Sequence, residues 1–224
     1  MLETELISRY PQVFHMAEDG SWPSIQRHGL LSTSALLTLY GMSGPQRDII
    51  ESEWRPAKLT IRAPGLPDVV IRDQIPLAPR LLSPCLEAGV SLAEWYRLIN
   101  GKVFFWPDRT RLEWFLSAVN YREAPHVVIT LETRRLVALL RSRVTLSRIN
   151  SGSAYPSRST GVAPTRGRET FRSIVDYPSR YVTELVVHEG VPDLSGMLVS
   201  VERWIAHRSG DGEPTFESLG RLWP

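Results

Sequence analysis

The sequence predicts an α+β fold. Strand-like stretches outnumber long helices, and helices and strands do not alternate strictly, as they would around a parallel sheet. No repeat of fixed period and no long low-complexity tract interrupts the chain. We therefore expect a single domain over residues 1–224.

Prolines, glycines and capping residues mark the predicted elements of the first half. In order, these are the end of a short helix at 6–10, a strand at 13–16, a helix from about 21 to 29, an apolar run at 30–39 and a helix at 45–54. Six prolines then fall between positions 56 and 84. They predict an extended, loop-dominated insertion with one strand-like stretch at 68–73.

The second half begins with a clear helix signal. Ser91 and Glu94 have the spacing of a capping box, and Gly101 follows the helix end. The later elements are predicted as a strand at 102–106, a helix at 107–119, a strand at 126–131, a helix at 132–140, a strand at 144–149, a polar loop to about 180, and strands at 181–188 and 197–207.

Composition excludes several classes of protein. A hydrophobic content of 42% and a charged content of 22% allow a sizeable core, and no apolar stretch is long enough to span a bilayer. The N-terminus lacks a signal-peptide pattern, and the single cysteine, Cys85, excludes a disulfide framework. We expect a soluble, cytoplasmic protein that has no membrane partner.

Common cofactor and metal motifs are absent. The sequence has no Gly-x-Gly-x-x-Gly, Walker loop, Gly-x-Ser-x-Gly or His-Glu-x-x-His motif. Its five histidines show no short metal-ligand spacing. We therefore expect no metal site.

The charge is unevenly distributed along the chain. Twenty-four of the 26 cationic residues are arginines, and the formal net charge is +2. Residues 134–180 contain ten arginines against two carboxylates, a local charge of +8, so the rest of the chain carries −6. A concentrated arginine segment is typical of a phosphate-binding or nucleic-acid-binding surface. A codon preference for arginine would explain the ratio of arginine to lysine, but not the clustering.

Three residues are candidates for chemistry. Glu184 lies within an apolar strand, where its carboxylate is either functional or paired with an arginine at a strand edge. His15 lies in a second apolar strand, where it is either functional or a core residue bonded to a carbonyl. Arg109 lies at a strand-to-helix junction that suits a phosphate, or it is a surface arginine beside an aromatic core.

Taken in order, four parts of the chain resemble the DarT-type ADP-ribosyltransferases and their uncharacterised relatives. The similar segments are 14–17 with 22–30, the aromatic segment 104–114, the Asn150-Ser-Gly-Ser-Ala154 element, and 181–193 with Glu184-Leu-Val-Val and Val191-Pro192. The insertion at 56–84 has no counterpart in this family.

The resemblance implies a fold and a set of roles. The fold would be the split β-sheet of ADP-ribosyltransferases with peripheral helices, which binds NAD without a Rossmann motif. Glu184 would be catalytic, and Arg109 would bind the pyrophosphate or position the acceptor. The implied cofactor-binding residues are His15, Met16, Gly29, Leu30, Ser32 and Trp114.

The resemblance also implies an acceptor. The arginine-rich segment before Glu184 lies where these transferases carry their acceptor-recognition loop. Single-stranded DNA or RNA is the expected acceptor, because a base must be unstacked before it can be modified. The expected nucleic-acid-binding residues are Arg158, Arg166, Arg168, Arg172 and Tyr155. A toxin role would imply an antitoxin or an ADP-ribose-removing partner.

Three alternatives remain open at this point. The enzyme could modify a protein or small molecule, or the chain could be a non-catalytic module that binds NAD or ADP-ribose. The RNA 2′-phosphotransferase branch of the same fold, which needs no catalytic glutamate, is the third. The sequence setting of Glu184 argues against the non-catalytic module and against this branch.

Overall fold

The computed structural model describes residues 1–156, 160–208 and 212–223, and it confirms the predicted α+β class. The helices are α1 (Glu3–Arg9), α2 (Trp22–His28), α3 (Thr33–Leu39), α4 (Gly44–Ser52), α5 (Pro79–Leu82), α6 (Leu92–Asn100), α7 (Arg109–Leu116) and α8 (Thr133–Leu140). The strands are β1 (Gln12–Glu18), β2 (Leu30–Leu31), β3 (Leu59–Ile61), β4 (Val69–Ile71), β5 (Lys102–Phe105), β6 (His126–Glu132), β7 (Val144–Ser147), β8 (Arg172–Ser173), β9 (Glu184–His188), β10 (Gly190–Val191), β11 (Leu198–His207) and β12 (Thr215–Trp223).

Two four-stranded antiparallel sheets form the centre of the fold. The first has the strand order β1-β6-β11-β12 and the second has the order β5-β9-β7-β8. Phe14 and Trp106 form a bridge with reciprocal backbone hydrogen bonds of 2.8 Å. This bridge joins β1 to the chain just beyond β5, so the two sheets meet there.

The largest hydrophobic cluster contains side chains from both sheets. Val13 and Ile129 come from the first sheet, and Phe105, Leu185 and Val187 come from the second. All are almost completely buried. Burying them provides the main drive for the two sheets to associate, because apolar burial stabilises in proportion to its area.

Helices also pack against both sheets. The outer face of the first sheet packs on α7 through Phe14 and Leu112. On the second sheet, Trp95 of α6 stacks on Phe171 with ring centroids 6.0 Å apart. The predicted capping box of α6 is confirmed, since Ser91 and Glu94 bond each other's backbone N–H groups.

The proline-rich insertion is more structured than the sequence suggested. It contains the β3–β4 hairpin and α5, and Ile61 and Ile71 of the hairpin pack against Leu37 and Ile50. The expectation of a loop-dominated segment was wrong because the prolines lie outside the hairpin strands, in turns and first helical turns, where no ladder N–H is lost.

Further differences concern strands. β9 begins at Glu184 rather than at residue 181, and β8, the short β2–β10 ladder and β12 were not predicted. β12 was missed because it is mostly exposed and so lacks a strong apolar alternation. Within the described ranges, no helix is both long and apolar enough to cross a bilayer.

Candidate functional site

Glu184 is the first residue of β9 and lies inside the protein. Its side chain is only 3% exposed, and its backbone is in register with Ser147 of β7. The backbone N–H of Ser151 donates a 3.1 Å hydrogen bond to Oε1. Among the described residues, Oε2 has no hydrogen-bond partner. One oxygen of this buried carboxyl group therefore lacks the hydrogen bond that a buried polar atom usually has.

Burial raises the pKa of Glu184 to about 7. Desolvation disfavours the charged form, and it outweighs the opposing effects of Ser151, Arg166 and Arg111. The Ser151 side chain also favours the carboxylate, although its hydroxyl has no well-formed hydrogen bond within the described structure. The site therefore keeps a carboxyl that changes charge near neutral pH, a property that concentrates at functional sites.

Arg166 holds the segment that covers Glu184. It is fully buried, and its Nη1 donates to the carbonyl of Pro164 at 2.5 Å. Its Nη2 donates to the carbonyls of Asn150 and Ser153. Arg166 therefore does not lie on a nucleic-acid-binding surface, which corrects the expectation from sequence. The guanidinium is buried because its N–H groups satisfy carbonyl groups that the folded loop directs inward.

Replacing Arg166 by Met should lower the free energy of unfolding by about 3 kcal/mol, because three carbonyls would lose a charged donor. Chemical denaturation at pH 7.5 would measure the change. The control is Arg172→Met, which removes only a partly exposed ion pair with Glu169 and should cost less than about 1 kcal/mol. Equal losses for both variants would contradict this role of Arg166.

His15 lies on β1, and β5 lies between β1 and the strand that carries Glu184. Its Nδ1 is 2.8 Å from the carbonyl oxygen of Phe104, so Nδ1 carries the proton and donates. Burial lowers the pKa of His15 to about 4, although the bond to Phe104 opposes this and Arg72 adds to it. The ring is therefore neutral at pH 7, and Nε2 can accept a hydrogen bond.

Arg72 was not identified from the sequence. It follows β4 in the proline-rich insertion, and its guanidinium lies 4.3 Å from the ring centroid of Tyr121 and 5.8 Å from that of Phe115. Its Nε and Nη2 are buried and have no hydrogen-bond partner in the described part of the chain. Arg72 lies near His15, since its charge lowers the pKa of that imidazole. A buried guanidinium with free donors is suited to an anion.

Arg109 points away from this region. Its Nε forms a 3.1 Å ion pair with Glu113, and its guanidinium lies 4.7 Å from the ring centroid of Trp204. A step of two residues rotates a side chain by about 200° around a helix, so Arg111 points to the opposite side. Arg111 lowers the pKa of Glu184, and in the described structure it forms no ion pair. Arg111, and not Arg109, is therefore the arginine of α7 whose charge acts on Glu184.

The other proposed cofactor residues have structural contacts of their own. Met16 and Leu30 are buried in hydrophobic clusters. The Ser32 hydroxyl caps α3 by accepting from the N–H of Ala35 at 3.2 Å.

Gly29 belongs to the β2–β10 region beyond the far end of β9. Its φ is +83°, and a Cβ there would lie 2.5 Å from the carbonyl oxygen of Val191. Only glycine fits that approach. Trp114 is 68% exposed and lies one turn from Arg111 on the same face of α7.

Much of the positive charge of the described part of the arginine-rich segment is paired. Six of its nine described arginines pair with carboxylates, and these are Arg135, Arg141, Arg143, Arg168, Arg172 and Arg180. In the folded protein, ion pairs therefore neutralise much of the positive charge that is concentrated in this segment of the sequence. Of the expected nucleic-acid-binding residues, Tyr155 is 51% exposed, whereas Arg158 lies outside the described residues.

Within the described residues, no three His, Cys, Asp or Glu side chains are grouped in a way that could hold a metal ion. A family model matches residues 11–198, and its description is "Family of unknown function (DUF7002)". The matched region includes His15, Arg72 and Glu184. No curated protein and no solved structure gives a significant match.

Proposed function

The chain belongs to DUF7002, a family of unknown function, and we propose that it is an NAD-dependent mono-ADP-ribosyltransferase. One observation carries the proposal: a buried, half-unpartnered carboxyl group on β9 and a neutral imidazole on β1 lie on opposite sides of β5. The resemblance of the sequence to DarT-type enzymes assigns catalytic and ribose-binding roles to these two residues, Glu184 and His15.

The architecture supports the same function. The resemblance implies a split β-sheet, and two four-stranded antiparallel sheets that meet at the Phe14–Trp106 bridge are compatible with one. An ADP-ribosyltransferase-like core remains part of the proposal.

The free polar atoms fit a dinucleotide. The Nε2 of His15 can accept a bond from a ribose hydroxyl, and so can Oε2 of Glu184. Arg72 can bind the pyrophosphate through its unpartnered nitrogens. Because Glu184 is only 3% exposed, the covering segment that contains Ser151 must move before NAD reaches the carboxyl group.

The proposed chemistry is displacement at the anomeric carbon of the nicotinamide ribose. The bond to the nicotinamide nitrogen breaks, and its electron pair leaves with neutral nicotinamide. Ionised Glu184 stabilises the positive charge that develops on the sugar, and the low-dielectric surroundings strengthen this effect. The acceptor atom forms the new bond, and its proton passes to Glu184.

We propose that the acceptor is a base in single-stranded nucleic acid. The support for this acceptor comes from residues outside the arginine-rich segment. Arg111 and exposed Trp114 share one face of α7, and exposed Tyr181 lies three residues before Glu184. Guanidinium and aromatic groups of this kind bind phosphates and stack on bases.

Nicotinamide release from NAD tests the proposed function. The purified protein is incubated with NAD alone, with single-stranded DNA, with RNA or with protein extract. We expect release that single-stranded nucleic acid stimulates. Stimulation by protein alone would reassign the acceptor, and binding of NAD with no release under any condition would indicate a non-catalytic module.

Replacing Arg72 by Met should weaken NAD binding by at least about tenfold, because the pyrophosphate would lose a charged donor. The methionine keeps an apolar contact with Tyr121, so the fold should survive. The control is Arg62→Met, which removes an exposed arginine paired with Asp68 on the same hairpin. Calorimetric titration with NAD would measure both, and equal affinities for both variants would contradict this role of Arg72.

A further inference from the structure

A cavity of about 660 Å³ opens beside α6 and the ends of β5 and β9. Its volume lies in the range of small-molecule sites, roughly 300 to 1,000 Å³. Its wall contains His188 and not Glu184. The two residues lie at opposite ends of β9, which separates them by about 13 Å at the usual rise of a strand.

Lys102 is the central feature of this cavity. It is one of only two lysines in the chain and is only 8% exposed. Its Nζ lies 5.2 Å from the ring centroid of Phe171. No carboxylate pairs with this ammonium and no acceptor bonds to it within the described ranges. Burial lowers the pKa of Lys102 to about 8, because desolvation disfavours the charged ammonium.

The other charged groups of the wall are already engaged. Arg143 donates to the carbonyls of His188 and Gly190 at 2.7 and 2.9 Å. Arg168 pairs with Glu94 at 2.9 Å, and Arg97 pairs with Asp48, whose carboxylate does not line the cavity, at 2.6 Å. Four cationic side chains therefore line the cavity with two carboxylates, Glu94 and Glu189, and the wall is electropositive.

The wall also has apolar side chains. These belong to Val90 and Leu98. An electropositive cavity with one free buried ammonium and an apolar side suits an anionic group attached to an apolar body. Phosphate is an anion that both lysine and arginine bind in proteins.

We propose that this cavity binds a small phosphomonoester, with its phosphate on Lys102 and its apolar body against Val90 and Leu98. Bound phosphate would supply the negative charge that the ammonium group of Lys102 lacks in the folded protein. The site is separate from the proposed NAD site, since neither Glu184 nor Arg72 lines it.

The test uses phenyl phosphate, inorganic phosphate and phenol as probes in calorimetric titrations of the full chain. We expect phenyl phosphate to bind best, inorganic phosphate to bind more weakly and phenol not to bind detectably. Lys102→Met should weaken phenyl phosphate binding by at least about tenfold, the usual scale for losing a charge-assisted hydrogen bond. Lys102→Arg keeps the charge and should retain binding.

The chain offers a matched control in its other lysine. Lys58 pairs with Glu18 and does not line the cavity, so Lys58→Met should leave phenyl phosphate binding unchanged. Glu184→Gln and Arg72→Met should also leave it unchanged, which separates this site from the proposed function. Binding of phenyl phosphate to Lys102→Met with wild-type affinity, or equal binding of phenol and phenyl phosphate, would overturn the proposal.

Discussion

Replacing Glu184 by Gln should reduce ADP-ribosyl transfer by at least about a thousandfold, the scale expected when a group that stabilises transition-state charge is lost. The amide has the shape of the carboxyl group but cannot carry a negative charge. It also cannot take the acceptor's proton. NAD binding should survive, because hydrogen bonds to a ribose hydroxyl remain possible and the proposed pyrophosphate contact is untouched.

Single-turnover transfer and equilibrium NAD binding would measure these two effects separately. Glu169→Gln is the control, because Glu169 is exposed and, in the described part of the chain, its carboxylate pairs with Arg172 alone. It should retain both properties. Transfer by Glu184→Gln at the wild-type rate would show that the carboxylate has no part in the reaction.

The same Glu184→Gln change should stabilise the protein at pH 8 by roughly 3 kcal/mol, since each pKa unit corresponds to about 1.4 kcal/mol. The pKa of Glu184 is about 7 in the folded protein and 4.5 as its ordinary value. Between these values the folded state binds more protons than the unfolded state. Wild-type stability therefore falls as the pH rises from 4.5 to 7, and the glutamine variant has no such loss.

Denaturation at pH 4.5 and pH 8 would test this prediction. The advantage of Glu184→Gln should be largest at pH 8 and should become small at pH 4.5, where the wild-type carboxyl is also neutral in the folded state. The free Ser151 hydroxyl can accept from the new amide. Lower stability of the variant at pH 8 would mean that the ionised carboxylate is well compensated in the fold. Glu169→Gln should change stability little at either pH.

If Glu184→Gln is more stable but inactive, then Glu184 lowers the free energy of unfolding of the wild-type protein and is needed for its activity. Buried carboxylates without full compensation destabilise folded proteins, so a structural role would predict the opposite result. The two measurements together therefore distinguish a catalytic carboxylate from a structural one.

The sequence predicted most of the elements that carry the candidate site. β6 was predicted as a continuous apolar run because both of its faces are buried. The settings of Glu184 and His15 were visible because a charged or titratable residue in an apolar strand breaks the pattern of its neighbours. β9 was predicted three residues too long because residues 181–183 continue the apolar run without joining the ladder.

Tertiary relationships were not visible in the sequence. Arg166 and Arg72 look like ordinary surface arginines, and only the folded chain shows that one bonds inward-facing carbonyls while the other lies over Tyr121. The sequence did not show which arginine of α7 faces Glu184, because its contacts with the first sheet set the rotation of that helix. The sequence also did not show that arginines of the arginine-rich segment form ion pairs with glutamates from other parts of the chain. These pairs reduce the net positive charge that the segment presents in the folded protein.

The most direct test of the proposed activity is the intact mass of single-stranded DNA and RNA oligonucleotides after incubation with NAD and the purified protein at pH 8. The proposal predicts that an oligonucleotide gains the mass of one ADP-ribosyl unit with the wild-type protein and gains none with Glu184→Gln. Unchanged oligonucleotides together with unconsumed NAD, from a wild-type protein shown to be folded, would contradict it.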